Sequence, residues 1–215
     1  MSERDPATIW TPPEATGGTP GHGRLAGRRI LVVGAGTQPC ADPDAPLGNG
    51  RAIAVLCARE GAAVACADRD EAAARDTAQR IANEGNRASV VIADVIDEAA
   101  CARVVAEAEG SLGGLDGIVV NVGIGYGRGL AGTGADAWDL TFAINLRAHF
   151  LVARAALPRL SAGASIVFVS SIAGIKPGTG IPAYDASKAG LAGLCRHLRS
   201  KVRGAAFART WSCRD

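Results

Sequence analysis

The stretch VVGAGTQPCADPDAPLGNGRAIA, residues 32–54, decides the fold, because it nearly completes a phosphate-binding loop between a strand and a helix. Such a loop needs glycines that allow positive φ and let backbone N–H groups approach a pyrophosphate. The G-x-G-x-x-G spacing fails here, since Pro39 stands three residues after Gly36. The next glycine pair, Gly48 and Gly50, arrives ten residues late. The stretch is therefore either a nucleotide loop with an insertion or a chance glycine-rich loop.

The intervening residues 37–46 contain three prolines, so they cannot form the interior of a helix. They can form a surface loop, because lengthening a loop costs little chain entropy. The flanks are intact, with a strand and GAG before the insertion and GNG and a helix after it. Asn49 is a candidate N-cap of that helix. We interpret the stretch as a nucleotide-binding loop that carries an insertion.

Apolar strands alternate with helical segments from Arg28 onward. The predicted strands are RILVVG, AVACAD, RASVVIADV, LDGIVVNVG and SIVFVSS. The predicted helices are GRAIAVLCAREGA, DEAAARDTAQRIANEG, DEAACARVVAEAEGSLGG, a long helix from about Asp136 to Leu160 and one that begins near Pro182. Strands that are apolar throughout and separated by helices indicate a parallel sheet covered on both faces. The predicted fold is α/β, a doubly wound parallel sheet of Rossmann type, with its ligand at the carboxyl ends of the strands.

Length and composition predict one such domain. A chain of 215 residues with 48% hydrophobic content can form one good core. Residues 1–26 are rich in Pro, Gly and Thr and lack apolar periodicity, which predicts a disordered N-terminal extension. The dinucleotide-binding and catalytic domain is expected over residues 27–203, and an irregular tail over residues 204–215.

Composition excludes several classes of protein. No run approaches the roughly 18 apolar residues of a membrane span. The first residues lack a signal-peptide pattern, so we expect a cytoplasmic protein without a membrane partner. The six cysteines lack ligand spacing, so no metal site is expected. A net charge of +2 is too small to indicate a nucleic-acid partner.

An acidic residue ends the second predicted strand. Asp68 lies 32 residues after Gly36, or 22 when the ten inserted residues are removed. That distance matches the roughly 20-residue spacing of the carboxylate that binds the adenosine ribose in dinucleotide folds. A carboxylate repels a 2′-phosphate, so NAD is the expected cofactor; Arg69 could pair with such a phosphate, which keeps NADP as the alternative. The simpler alternative is that Asp68 only caps the following helix.

The motif YDASK places Tyr184 and Lys188 four residues apart, on one face of a helix. A phenol has a pKa of about 10, and a neighbouring ammonium favours the phenolate that proton exchange with a carbonyl or alcohol oxygen needs. Thirteen residues before the tyrosine, a strand ends in Ser170 and Ser171, where a hydroxyl could polarise a carbonyl in the ligand crevice. Alternatively, the first pair lies on an ordinary helix surface and the serines form a turn.

Together these stretches resemble the classical short-chain dehydrogenase/reductase family over about residues 28–195. The matching stretches are GAG…GNGRAIA, ADRD, ADV, NVG, FAINL, IVFVSSIAG and YDASKAGL, in family order. The resemblance implies hydride transfer between NAD(P) and a small secondary alcohol or ketone. It also implies a homodimer or homotetramer, built on the long helix and the helix that carries Tyr184.

The resemblance implies a role for each matching residue. Tyr184 would be the catalytic acid/base, Lys188 would hold the nicotinamide ribose and favour the phenolate, and Ser171 would bind the substrate oxygen. Asn145 would hold a water in the proton relay. The implied cofactor-binding residues are Gly34, Gly36, Gly48, Asn49, Gly50, Asp68, Arg69, Asp94, Val95, Asn121, Gly123, Tyr184 and Lys188. Taken singly, Asn145 could be a satisfied helix-interior residue and Asp94 a helix cap.

The chain departs from the family pattern in two places. VNVG stands where the family usually has Asn-Asn-Ala-Gly, and the resemblance stops after GLAGLC. The chain is therefore expected to be truncated, to lack the last strands and the substrate lid, and to leave its fifth strand as an unpaired edge. The alternative function is a nucleotide-binding but catalytically incompetent protein. A methyltransferase on a similar sheet is a weaker reading, because it explains the glycine loop and Asp68 but not the Ser171, Tyr184 and Lys188 set.

Overall fold

Short apolar runs rich in β-branched residues form a six-stranded sheet in which all strand pairs are parallel. The computed structural model describes residues 12–38, 47–176, 178–201 and 208–212, and of residues 200, 201 and 208–212 it describes the backbone alone. The strands are β1 Arg29–Val33, β2 Ala63–Asp68, β3 Ala88–Ile92, β4 Leu115–Val120, β5 Leu160–Val169 and β6 Ala208–Ser212. Their order in space is β3-β2-β1-β4-β5-β6.

The strand order reverses between β1 and β4, which are neighbours near the middle of the sheet. Their carboxyl ends are level, since Val33 pairs with Val120. In doubly wound folds, the chain leaves the two strands at such a reversal in opposite directions, and the crevice between them binds the ligand. The predicted fold class is confirmed.

Helices cover the sheet and connect the strands. They are α1 Pro13–Thr16, α2 Asn49–Arg59, α3 Glu71–Asn83, α4 Glu98–Leu112, α5 Ala135–Phe142, α6 Ala148–Ala156 and α7 Pro182–Lys201. Asp70 and Asp97 are the N-caps of α3 and α4, and their carboxylates accept backbone N–H groups of the first turn. Among the described residues, no helix combines the length and apolar character that a membrane crossing requires. The cytoplasmic location stays a prediction.

Both faces of the sheet are buried, because successive side chains of a strand point to opposite sides. Leu31 and Val33 of β1 belong to a core cluster that includes residues of α4 and α6. Ile30 and Val32 belong to a second cluster, on the side of α2 and α3. The continuous apolar runs in the sequence are the consequence of this double burial.

The long helix predicted from about Asp136 to Leu160 is wrong at its C-terminal end. The structure forms α5, then a π-helical turn at Ala143–Arg147, then α6, which ends at Ala156. Pro158 follows shortly; it has no amide hydrogen, and its ring excludes a continued helix. Leu160 instead begins β5.

The irregular tail predicted over residues 204–215 and the unpaired edge predicted for the fifth strand are also wrong. Ala208–Ser212 forms β6, which pairs in parallel with β5. A free strand edge carries a row of unpaired N–H and C=O groups, and a neighbouring strand satisfies them. The Thr-Trp pair in β6 also favours a strand. Residues 202–207 and 213–215 lie outside the described residues.

The disordered extension predicted for residues 1–26 is contradicted over residues 12–26. This segment forms α1 and lies against α2, where the Arg59 guanidinium donates to the carbonyl oxygen of Glu14 at 3.1 Å. Side-chain contacts to backbone carbonyls hold the segment, and a search for apolar periodicity does not detect them. Residues 1–11 lie outside the described part of the chain.

Candidate functional site

The two glycine runs of the opening stretch lie against each other. The N–H groups of Gly34 and Ala35, just after β1, both donate to the carbonyl oxygen of Ala67, at 2.8 and 2.9 Å. Gly34 has a φ of 80°, a left-handed conformation that favours glycine. A Cβ at Gly50 would lie 1.7 Å from the carbonyl oxygen of Gly34, so this position requires glycine. The first turn of α2 therefore begins directly on the GAG turn, as a phosphate-binding loop needs.

The insertion leaves and rejoins the fold at one place. A Cβ at Gly48 would lie 2.3 Å from Oγ1 of Thr37, so the two ends of the inserted segment are adjacent. Residues 39–46, between them, lie outside the described residues. The prediction that Asn49 is the N-cap of α2 is wrong, because the chain turns at Gly48, with a φ of 75°, and Asn49 is already helical.

Asp68, at the end of β2, holds the GAG turn. Its Oδ2 atom accepts the backbone N–H of Gly36 at 2.9 Å, and its Oδ1 atom accepts the N–H of Asp70 at 3.1 Å. The alternative that Asp68 only caps α3 is excluded, since Asp70 is the N-cap and accepts the N–H of Ala73. Arg69 beside it is exposed. A carboxylate thus stands where the first glycine turn meets β2.

A cavity of about 610 Å³ opens at the carboxyl ends of β1, β2, β3 and β4. Its volume is in the range of roughly 300–1,000 Å³ that ligand sites occupy. The predicted cofactor residues that line it are Gly34, Gly36, Asp68, Arg69, Asp94, Val95, Asn121 and Gly123. The predicted residues that do not line it are Gly48, Asn49, Gly50, Asn145, Ser171, Tyr184 and Lys188. Lining residues that the sequence did not single out include Thr37, Gln38, Asp70, Ile124 and Ile144.

Two polar residues shape the walls of this cavity. Asn121, after β4, donates from Nδ2 to the carbonyl oxygen of Gly34 at 3.1 Å, so it ties the loop after β4 to the glycine turn. Asp94, after β3, accepts the N–H of Ile96 at 3.1 Å. The alternative that Asp94 caps α4 is excluded, since Asp97 is the N-cap.

The lysine of YDASK is buried. Lys188 is 3% exposed, and its Nζ donates to the carbonyl oxygen of Val169, at the end of β5, at 3.1 Å. The same Nζ lies 5.7 Å from the ring centroid of Tyr184, and a Cβ at Gly123 would lie 3.0 Å from it. Burial lowers the pKa of the Lys188 ammonium to about 8. The alternative of an ordinary helix-surface pair is therefore excluded.

The two serines after β5 have different partners. Ser170 is buried and its hydroxyl donates to the carbonyl oxygen of Lys188 at 2.9 Å, so it fastens the strand end to α7. Ser171 accepts the N–H of Ala173 at 3.2 Å and begins a 3₁₀ turn at Ile172–Gly174. Ser171 thus forms the turn that the sequence analysis gave as the alternative. It still lies at the end of β5, and its role in binding a substrate oxygen stays a prediction.

Asn145 lies fully buried in the π-helical turn. Its Oδ1 accepts the N–H of Ile124 at 2.8 Å, and its Nδ2 donates to the carbonyl oxygen of Ile124 at 2.8 Å and to Oγ of Ser187 at 3.0 Å. Ser187 in turn donates to the carbonyl oxygen of Tyr184 at 2.8 Å. The side chain therefore joins the loop after β4 to α7, and π turns are frequent at functional sites. The role of Asn145 in holding a water stays a prediction.

His149 is a buried polar residue that the sequence analysis missed. It is fully buried, its ring meets Phe168 edge to face with centroids 5.5 Å apart, and neither nitrogen has a hydrogen-bond partner among the described residues. Burial and the nearby charge of Lys188 lower the pKa of this imidazole to about 3, so it is neutral at ordinary pH. The sequence shows only a single histidine within the apolar pattern of a helix, and that pattern does not indicate full burial against Phe168.

Comparison with protein families agrees with this geometry. Residues 45–206 match the family model described as short chain dehydrogenase. The chain is 35% identical over 185 residues to the uncharacterized oxidoreductase YghA of Escherichia coli, a match that covers 85% of this chain and 60% of that protein. It is 36% identical over 182 residues to the (3R)-3-hydroxyacyl-CoA dehydrogenase of Rattus norvegicus, which covers 80% of this chain and 66% of that protein. The chain thus spans about three fifths to two thirds of the length of these relatives.

The fold is also similar to solved structures. A short chain dehydrogenase from Burkholderia cenocepacia, in complex with NADP, superposes with a TM-score of 0.78 at 31% identity. That match covers 87% of this chain and 74% of the other.

Proposed function

Because the chain belongs to the short chain dehydrogenase family, we propose that it is an oxidoreductase that transfers a hydride between NAD(P) and a small secondary alcohol or ketone. The observation that carries the proposal is the buried ammonium of Lys188. It lies beside Tyr184 and next to Gly123, which lines the cavity. Proteins bury a lysine only where the lost hydration is compensated or the shifted pKa has a use, and a proton-transfer site provides that use.

The residues of the cavity fit a dinucleotide. The turn at Gly34 and Gly36 presents bare backbone to the cavity, and α2 begins at Asn49 against this turn. Backbone N–H groups at the start of a helix are well suited to a pyrophosphate. The carboxylate of Asp68 lines the same cavity and can accept ribose hydroxyls. The nicotinamide group supplies the hydride chemistry when it is bound.

We propose NAD rather than NADP as the preferred cofactor. The carboxylate of Asp68 lines the cavity and would repel a 2′-phosphate. Arg69, which would attract that phosphate, lines the same cavity but is exposed. A carboxylate held by two backbone N–H groups is difficult to turn away from an approaching phosphate. The NADP complex of the Burkholderia cenocepacia protein makes the competing cofactor a necessary part of the test.

The chain's own side chains would handle the proton. In the reducing direction, Tyr184 donates its phenolic proton to the carbonyl oxygen as the carbon receives the hydride, and in the oxidising direction the phenolate takes the proton back. Lys188 lies beside the ring of Tyr184 and would donate to the ribose hydroxyls. Ser171 would donate a hydrogen bond to the substrate oxygen, and Asn145 keeps the loop and the helix in register.

A second candidate function is dinucleotide binding without catalysis. The observation that favours it is that predicted cofactor residues line the cavity, whereas Ser171, Tyr184 and Lys188 do not. Dinucleotide binding without turnover of any alcohol or ketone would support this candidate and would contradict the oxidoreductase proposal.

The test is a paired measurement on the wild type and two tyrosine variants. NADH and NADPH are titrated by fluorescence, and turnover is then measured with a panel of ketones and secondary alcohols. Tyr184→Phe should bind NADH within about threefold of the wild-type affinity, since it can lose one hydrogen bond to the cofactor. It should lose turnover by about a thousandfold, since it removes one acid/base group. Tyr126→Phe makes the same chemical change on the exposed loop after β4 and should retain turnover. Failure of the wild type to bind either dinucleotide would contradict the proposal.

We also propose that the chain forms a homodimer or homotetramer through α5, α6 and α7. An apolar groove of about 800 Å³ lies between these helices and is lined by Phe142, Phe150 and Leu194, and Phe150 is 44% exposed. Phe150→Glu should yield a smaller species in sedimentation velocity, whereas Leu130→Glu, on an exposed loop, should not. An unchanged sedimentation coefficient for Phe150→Glu would contradict this interface.

A further inference from the structure

A buried cation lies in the first turn of α2. Arg51 is 7% exposed and directly follows Gly50, where the helix meets the GAG turn. A positive charge near a helix N-terminus is repelled by the helix dipole, and burial of a charge removes its hydration. Burial accordingly lowers the pKa of the Arg51 guanidinium below its usual value. Two unfavourable contributions at one residue require a compensating interaction.

The guanidinium of Arg51 is connected to the GAG turn by two hydrogen bonds. Its Nε donates to Oγ1 of Thr77, on α3, at 3.1 Å. Thr77 is fully buried, and its Oγ1 lies 3.0 Å from the carbonyl oxygens of both Ala35 and Ala73, so its one hydroxyl hydrogen serves two acceptors. Ala35 is the middle residue of GAG. When Thr77 donates to Ala35, the negative end of this carbonyl is not presented to a bound phosphate.

The charge of Arg51 is only partly neutralised. Its Nη2 lies 2.7 Å from Oδ2 of Asp76, and the same oxygen lies 3.2 Å from Nε of Arg80. Two guanidiniums therefore share one carboxylate, and a net positive charge remains. Arg80 and Asp76 are half exposed and solvated, whereas the side chain of Arg51 is 9% exposed. Of these three charges, the one on Arg51 is the least screened by water and the nearest to the turn.

We propose that Arg51 and Thr77 are positioning residues of the cofactor site: Thr77 fixes the GAG turn, and Arg51 adds a buried positive charge that selects ligands carrying a pyrophosphate. The inference rests on the proposed function, because it concerns the same dinucleotide site. The attraction between this charge and a pyrophosphate compensates in the complex for the unfavourable position of Arg51 in the free protein.

The test compares three ligands on four variants. Dissociation constants of NADH, ADP-ribose and adenosine are measured for the wild type, Arg51→Met, Arg51→Lys, Thr77→Val and Arg80→Met, with NADH fluorescence and competition against it. Arg80→Met is the matched control, because it removes the other partner of Asp76 and has no contact with the turn. The free energy of unfolding in urea is measured for each variant.

For Arg51→Met we expect about tenfold weaker binding of NADH and ADP-ribose, a change of ~1.4 kcal/mol, and an unchanged constant for adenosine. Its NADH affinity should also depend less on salt than that of the wild type. Arg51→Lys should keep most of the affinity, and Arg80→Met all of it. Thr77→Val should weaken NADH about threefold, since one neutral hydrogen bond to the turn is lost.

Several outcomes would overturn the inference. One is an equal loss of affinity for adenosine and ADP-ribose in Arg51→Met, since that would indicate a purely structural residue. Another is an equal effect of Arg80→Met. If Arg51→Met does not fold, unchanged NADH affinity in both Arg51→Lys and Thr77→Val overturns it. If the wild type itself binds neither NADH nor ADP-ribose, the proposed function fails and this inference fails with it.

Discussion

The glycine turn after β1 and the Tyr184–Lys188 cluster on α7 are built in opposite ways. The turn depends on missing side chains, since a single Cβ at Gly50 would overlap the backbone of Gly34. The cluster depends on the buried polar side chains of Asn145, Ser187 and Lys188, which bond to backbone groups and, for Asn145 and Ser187, also to each other. Added atoms should therefore damage the first region, and removed atoms should damage the second.

The largest effect is expected for Gly50→Ala. The new methyl group would lie 1.7 Å from the carbonyl oxygen of Gly34, so the turn or the helix must move. We expect the free energy of unfolding in urea to fall by about 5 kcal/mol and NADH binding to be lost. Gly110→Ala is the matched control, because its Cβ meets nothing within 4 Å in the last turn of α4. That control should stabilise the protein by about 1 kcal/mol, and a stable Gly50→Ala would contradict the comparison.

Removal of a side chain from the second region is tested by Asn145→Ala. The change leaves the N–H and carbonyl groups of Ile124 and the hydroxyl of Ser187 without their partner. We expect a loss of about 4 kcal/mol of unfolding free energy, since two partly buried backbone groups and the buried hydroxyl of Ser187, which keeps its bond to Tyr184, each lose a hydrogen bond. Asn83→Ala, which removes an exposed amide paired with Gln79, should cost less than about 0.5 kcal/mol. Equal effects of the two variants would show that Asn145 does not join the loop to α7.

The pH dependence of stability should follow Lys188. Its pKa is lowered to about 8 in the folded protein, so between pH 8 and the ordinary lysine value of 10.5 the unfolded chain binds the additional proton. The contribution of this group to the free energy of unfolding therefore rises with pH across that window, by about 3 kcal/mol in total. Urea denaturation between pH 7.5, about half a unit below the folded value, and pH 10.5, the unfolded value, measures it.

Two variants isolate that contribution. Lys188→Met should remove the rise with pH, because the titrating group is gone. Lys176→Met, which removes a lysine exposed on the loop before α7, should leave the rise unchanged. A wild-type profile with the same slope as that of Lys188→Met would contradict the lowered pKa of Lys188. The buried thiols of Cys57, Cys66 and Cys101, whose pKa burial raises, oppose the rise in both proteins and cancel from the difference.

The sequence predicts the sheet well because double burial makes its strands continuous apolar runs, as in β2 with AVACAD. It predicts helix ends poorly where tertiary structure decides them. The π turn at Ala143–Arg147 is stabilised by contacts of Asn145 with a distant loop, which apolar periodicity does not record. β6 forms because the edge of β5 offers free backbone groups, and that requirement also lies outside the local sequence.

The candidate site divides in the same way. Spacing alone singled out Asp68 and Lys188, because a strand end and a helix face each fix the direction of a side chain. Spacing could not show that Asp68 binds the N–H of Gly36, which needs the turn to fold back across β2. Arg51 and His149 were missed, since each is one polar residue in a helix whose environment is set by elements far away in the chain.

Because Thr37 and Gly48 are adjacent, the segment between them leaves and rejoins the fold at one place, which makes it a suitable site for insertions. A chain that leaves and returns at one point exerts little tension on its surroundings, whatever its length. A peptide tag or a fluorescent reporter inserted after Gln38 would thus lie at the rim of the 610 Å³ cavity.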